Sequence, residues 1–158
     1  MRREDFTDLL RNRILVLDGA MGTLLQRHQL PASDFGGAKG NYDYLNITRP
    51  DIVMEAHLSY LQAGADIIET NTFSSNRFSQ EAHNSADKVY ELNRKGAEIA
   101  QQAIAQYLST GGKRAHKPLV AGSMGPMTPY LRTLIVPITA QSPSTLWRRP
   151  TKSRCAAL

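Results

Sequence analysis

Three short apolar runs, each ending in small or polar residues, limit what this chain can fold into. The first is Ile14-Leu15-Val16-Leu17, closed by Asp18-Gly19-Ala20-Met21-Gly22-Thr23. The second lies in Ala65-Asp66-Ile67-Ile68-Glu69-Thr70-Asn71-Thr72-Phe73. The third is Pro118-Leu119-Val120-Ala121-Gly122, closed by Ser123-Met124-Gly125-Pro126. Runs of this kind read as strands buried on both faces, the pattern of parallel sheets. Helical patterns separate them. Ile52, Val53, Ala56, Leu58 and Leu61 recur at helical spacing between Pro50 and Ala63. In that helix Thr48 is the expected cap, Pro50 suits the first turn and Gly64 is the natural stop. A longer helix is expected from about Ser85 to Leu108, with Val89, Leu92, Gly96, Ile99, Ala103 and Ile104 on one stripe. Glu91 and Lys95 form an i,i+4 pair on it. A short N-terminal helix over 4–12 and another at Thr23–Arg27 complete the set, while 31–48 has no period.

The order strand, helix, strand, helix, strand implies an α/β fold with parallel strands and crossover helices. Ligands in such folds bind at the carboxyl ends of the strands. Those ends are Asp18–Thr23, Glu69–Phe73 and Gly122–Pro126.

The length of 158 residues suits one domain. No apolar run approaches the ~18 residues of a membrane span, and Met1–Leu10 lacks the apolar stretch of a secretory signal. The expectation is a cytoplasmic protein with no membrane partner. The single cysteine excludes an internal disulfide and a multi-cysteine zinc site within this chain. The net charge of +5 suggests nucleic acid, but its distribution does not. Arg132, Arg148, Arg149, Lys152 and Arg154 face no acid in 131–158, which leaves 14 basic and 14 acidic residues in 1–130. A basic binding face is spread over folded elements. Here the excess is confined to a proline-interrupted tail that reads as disordered, so no nucleic-acid partner is expected.

Asp18 sits at a strand end before Gly19, where a carboxylate suits an ammonium group; the alternative is a turn cap. Glu69 lies inside an apolar strand, where an unpaired charge costs several kcal/mol. It is therefore either a ligand group or half of a structural ion pair. Asn71 shares its face, with Ile67 and Phe73, and is less costly to bury. The glycines of the first and third strand ends match neither phosphate-binding pattern. His28, His57, His83 and His116 have no metal-ligand spacing and read as surface or loop residues. Met21, Met124, Met127, Tyr42 and Tyr44 read as packing.

Five blocks in order carry a family resemblance: ILVLDGAMGT (14–23), KGNYDYLNITRPDIV (39–53), AGADIIETNTF (63–73), VYELNRKGAEIAQQA (89–103) and VAGSMGP (120–126). Over about residues 10–130 the chain resembles the start of the homocysteine-binding domain of cobalamin-dependent methionine synthases. More broadly it is similar to homocysteine S-methyltransferases. The resemblance implies a (β/α)8 barrel and methyl transfer to homocysteine sulfur, giving methionine. It implies a zinc ion on cysteine thiolates that holds the substrate as thiolate, and methylcobalamin as donor. Asp18 and Gly19 match the family's first-strand substrate loop, and Glu69 matches an inward polar position of the second strand. Asn71 falls in the same block, and Gly122 and Ser123 match the third-strand loop.

A barrel needs eight strands and ~250 residues; this chain has room for about the first three β/α units. The family's zinc cysteines lie beyond the matched part, and Cys155 lacks their glycine context. The expectation is a partial barrel over 1–130 with an unmatched tail over 131–158. It is expected to bind neither zinc nor cobalamin and to be inactive alone. The alternative is a non-catalytic module that associates through its open sheet edge. The abrupt change near Thr133 is what a shift of reading frame produces. Translating the coding DNA past Tyr130 in all frames checks it: a resumed barrel pattern with a glycine-rich cysteine is the expected outcome.

Overall fold

The computed structural model describes residues 3–37, 39–112 and 116–126. The boundary expected at 130/131, the tail, Met127 and Cys155 lie outside the described residues. Helix α1 spans Arg3–Asn12 and α2 Met21–Gln26. The stretch read as irregular holds 3-10 turns at Ala32–Phe35 and Tyr42–Tyr44, then the single-turn α3, Leu45–Thr48. Next come α4, Pro50–Ala63, and strand β1, Ile67–Glu69. Short α5, Arg77–Glu81, precedes a 3-10 turn at Ala86–Lys88 and the long α6, Val89–Ser109. Strand β2 is Leu119–Ala121.

The sheet is small and parallel, so the class is α/β. β1 and β2 pair with Ile67 opposite Leu119, Ile68 opposite Val120 and Glu69 opposite Ala121. The first apolar run is not the buried strand expected. It meets β1 through one parallel bridge, Leu17 to Ile67, with Asp18 N–H on Ile67 O at 2.9 Å. Ile14 is 89% exposed and Val16 53%, because among the described residues the run is paired on one side only. The second strand is also shorter than the apolar pattern. The ladder continues to Thr70 N–H on Ala121 O, after which Thr72 N–H turns back to Thr70 O.

α4 and α6 pack on each other, α4 against β1 and α6 against β2. The buried stripe of α6 is Leu92, Gly96, Ile99, Ala100, Ala103 and Ile104, close to the periodicity reading. One cluster joins Leu25, Phe35, Leu45, Ile52, Val53, Ala56 and Ile99. A second joins Leu61, Ala65, Ile68, Ala100, Ala103 and Ile104. Gly64 ends α4 at φ +119, a conformation that side chains disfavour. Gly96 has a different task. A Cβ there would stand 2.6 Å from Thr72 Cγ2 and 2.9 Å from Asn46 Nδ2, so its bareness lets α6 approach the β1 end.

Three local readings are corrected. Thr48 does not cap α4: its hydroxyl donates to Asp34 O at 2.5 Å, because Thr48 closes α3 instead. Glu91 and Lys95 do not pair: Glu91 takes Lys88 and Lys95 takes Glu98, each an i,i+3 partner on the wound helix start. His57 is not a surface residue. It is fully buried on α4, and neither ring nitrogen has a hydrogen-bond partner among the described residues. Burial alone pushes its pKa down to about 4. No helix among the described residues is long and apolar enough to cross a membrane.

Two expected outcomes follow. His57 is neutral in the fold and titrates near 6.5 when unfolded, so its contribution is intact above that value and is lost as pH falls toward about 4. The loss amounts to about 3 kcal/mol, and urea unfolding of His57→Leu shows that acid sensitivity removed. Gly96→Ala destabilises by about 1–3 kcal/mol in the same assay, by forcing Thr72 and Asn46 aside.

Candidate functional site

The carboxyl ends of Val16–Asp18, β1 and β2 open into one cavity of about 460 Å³. Asp18, Gly19, Glu69, Thr70, Asn71 and Ser123 line it, together with Asn41, Asp43, Ser74 and His83. A larger, more open groove of about 730 Å³ lies between α6 and β2. Its wall mixes Glu98, Gln101, Ile104, Lys117 and Val120 without convergent polar groups, so the strand-end cavity carries the chemistry.

Asp18 reaches across to the neighbouring strand. One carboxylate oxygen, Oδ2, accepts Glu69 N–H at 3.0 Å and ties the first run to β1. The other, Oδ1, is buried with no partner among the described residues. Burial raises the Asp18 pKa to about 6; the Glu69 N–H opposes this and the Glu69 carboxylate adds to it. A desolvated carboxylate with one free oxygen is primed for a cation that would satisfy it. Glu69 lines the same cavity, half-buried, and forms no ion pair with any described residue. Among the described residues the structural ion pair finds no partner.

The remaining sequence candidates divide. Gly19 lines the cavity, and a Cβ there would stand 3.2 Å from Tyr60 Oη. Asn71 lines it too, but its amide donates inward to Tyr42 O at 2.9 Å and Asn46 Oδ1 at 3.1 Å. It braces the wall. Ser123 is brought in: its N–H meets Thr70 Oγ1 at 3.0 Å and its carbonyl accepts Thr72 Oγ1 at 2.9 Å. Gly122 is exposed and outside the lining.

Asn41, Asp43 and Ser74 were missed by the sequence reading. Asp43 Oδ2 accepts Ser74 N–H at 2.8 Å and Ser75 Oγ–H at 2.7 Å, so it fixes the turn after β1. Burial pushes the Asp43 pKa up, against those two bonds and the charge of His83. Asn41 and Gln80 exchange amide bonds at 2.9 and 3.1 Å, and Gln80 also holds Ser74 O. His83 is a loop histidine, as read, in the turn after α5, and it also lines the cavity half-buried. The one available signal was the density of polar residues in NYDYLN and SSNRFSQEAHNS, which a solvated loop would share.

Residues 15–149 match the homocysteine S-methyltransferase family. The chain belongs to that family. Among methyltransferase relatives, it is 44% identical over 124 residues to the methionine synthase of Mycobacterium leprae (strain TN). It is 43% identical over 124 residues to that of Mycobacterium tuberculosis (strain ATCC 25618 / H37Rv). Each match covers 78% of this chain and 10% of the relative, so the chain spans about a tenth of their length. Its structure is similar to the metallated form of the Escherichia coli homocysteine methyltransferase MmuM, at TM-score 0.64 and 29% identity. That likeness covers 79% of this chain and 42% of that one. The oxidized form of MmuM gives TM-score 0.62 and 31% identity over 78% of this chain and 41% of that chain.

Within this cavity, affinity for a small ammonium ion is expected to follow the ionisation of Asp18. Titration calorimetry with butylammonium is expected to show about tenfold tighter binding at about pH 7 than at about pH 5. Asp18→Asn flattens most of that rise. The sign is opposite for stability: the raised pKa means the fold loses stability as pH rises through about 6, so Asp18→Asn unfolds at higher urea at neutral pH.

Proposed function

We propose that the strand-end cavity holds the amino-acid end of homocysteine, in a methionine-synthase-type methyltransferase that makes methionine. The observation that carries this is the Asp18 carboxylate, with one buried oxygen lacking a partner among the described residues, beside Glu69, which forms no ion pair among them. An ammonium group satisfies both without a counter-ion from the protein. Family membership supplies the substrate class. Gly19 lets the substrate approach the first strand end, and Ser123 closes the third. Gly122 belongs to that third loop but lies outside the cavity lining.

In the same reading, residues 1–130 are about the first three β/α units of a (β/α)8 barrel. Three parallel segments in the order Val16–Asp18, β1, β2 support it, as does the likeness to MmuM. The donor set of this cavity does not fit a thiolate zinc centre. Its ionisable groups are Asp18, Asp43, Glu69 and His83, and among the described residues no three such side chains converge on one point. Zinc and methylcobalamin are therefore assigned to the family's complete enzymes, and no step on this chain runs through them. What this chain supplies in that reading is a binding place for the amino-acid end of the substrate. It is not expected to complete methyl transfer alone. A second reading, an association module, rests on the exposed edge formed by Ile14, Val16 and Leu17. Sedimentation that stays monomeric at micromolar concentration would remove it.

The test is calorimetric titration of the purified chain with L-homocysteine under reducing conditions. Binding weakened about tenfold or more by Asp18→Asn is the expected result. No heat with the native chain overturns the reading, and methyl transfer by the chain alone overturns its assignment as a binding portion.

A further inference from the structure

The backbone ladder between β1 and β2 stops at Thr70 N–H on Ala121 O, 2.9 Å, and main-chain pairing resumes at Gly125 N–H on Phe73 O, 2.8 Å. Between those two bonds, threonine hydroxyls hold the third strand end. Ser123 N–H donates to Thr70 Oγ1 at 3.0 Å, and Thr72 Oγ1 donates to Ser123 O at 2.9 Å. The two threonine oxygens stand 2.6 Å apart. A hydroxyl has one proton to give, and a carbonyl has none. The Thr72 proton is spent on Ser123 O, so the Thr70 hydroxyl donates to Thr72 Oγ1. The three bonds therefore run one way, from Ser123 N–H through both hydroxyls and back to the Ser123 carbonyl, and each polarises the next. Both threonines are buried, and Thr72 N–H turns back to Thr70 O at 2.9 Å. The Thr72 methyl is confined by α6: a Cβ on Gly96 would stand 2.6 Å from it.

Thr72 is outside the cavity lining, whereas Thr70 and Ser123 belong to it. We propose that Thr72 is a positioning residue for this cavity: its hydroxyl locks Ser123 to Thr70 and so holds the third strand end against the second. The proposal rests on the homocysteine reading and adds to it a residue that does not touch the ligand. Removing the hydroxyl has a defined consequence. Ser123 O loses its donor and the Thr70 hydroxyl loses its acceptor, both in a buried place where an unmade bond is costly. Segment 122–124 then keeps one tie, Ser123 N–H on a Thr70 hydroxyl that is free to rotate. That wall of the cavity loosens locally while the helices behind it stay packed. Removing the methyl instead leaves all three bonds in place and vacates only the space beside Gly96.

Two substitutions in the whole chain separate the hydroxyl from the packing. Thr72→Val keeps the shape and removes the hydroxyl; Thr72→Ser keeps the hydroxyl and removes the methyl. Titration with L-homocysteine is expected to show binding weakened about fivefold to tenfold by Thr72→Val and held within about twofold of native by Thr72→Ser. Amide hydrogen exchange read by NMR is expected to quicken about tenfold at Ser123 in Thr72→Val, with the amides of α6 unchanged. Equal losses of affinity in the two variants, or native affinity in Thr72→Val, overturn the role of Thr72 while homocysteine binding by the native chain keeps the wider reading intact. One check needs no variant: in the native chain the Ser123 amide exchanges about as slowly as the Thr70 ladder amide, and fast exchange there overturns the proposal even if Thr72→Val does not fold. If the native chain binds no homocysteine, it is the wider reading that fails, and the positioning role with it.

Discussion

One buried amide holds the parts of this structure in place. Asn46 is 1% exposed, and its Nδ2 donates to Asn71 O at 2.8 Å and to Leu92 O at 3.2 Å. Its Oδ1 accepts from Asn71 Nδ2. Three elements distant in sequence, α3, the turn after β1 and the start of α6, therefore meet on one side chain. A buried amide left half-satisfied costs more than its bonds return, so these elements move together or not at all. Gly96 serves the same junction by leaving room for Asn46 and Thr72. The apolar clusters behind it supply the non-directional stabilisation; this junction supplies the geometry.

Two polar groups break the rule that buried polar atoms are paired, and they do so in different places. His57 sits in the helical layer away from the cavity, where an unpartnered neutral imidazole is a stability burden released by acid. Asp18 sits at the cavity, where its unpartnered oxygen is a burden that a cation would lift. Burial shifts both pKa values toward the neutral form, downward for the base and upward for the acid. Only at Asp18 does the surrounding space admit a ligand. Location, not the size of the shift, separates a candidate site from a packing imperfection.

The sequence made the frame legible. The apolar runs ending in small residues located the segments that pair, and the helical stripe of Leu92, Gly96, Ile99 and Ala103 faced the core as its spacing implied. Asp18, Glu69 and Ser123 met at one cavity because parallel strands bring their carboxyl ends to one edge. Gly122 did not: it is exposed and outside the lining. What stayed hidden depends on contacts across long loops. Asn41 and Gln80 are 39 residues apart in sequence, and nothing in either neighbourhood marks the other as partner. His57 followed the helical period like any core residue, but a histidine there is equally consistent with an exposed edge of the stripe.

The two ends of the small sheet divide its tasks. At the amino end, Arg13 Nη2 reaches both oxygens of Asp66 at 2.9 Å, and Asp66 also takes Val16 N–H. Charge there is paired and spent on holding the first run beside β1. At the carboxyl end, Asp18 and Glu69 stand close enough for the Glu69 charge to raise the Asp18 pKa. Swapping that arrangement would neutralise the cavity and leave the amino end frayed. The same parallel ladder, Leu17 to Ile67 and Ile67 to Leu119, links both ends, so the paired charges at one end fix the spacing of the unpaired ones at the other.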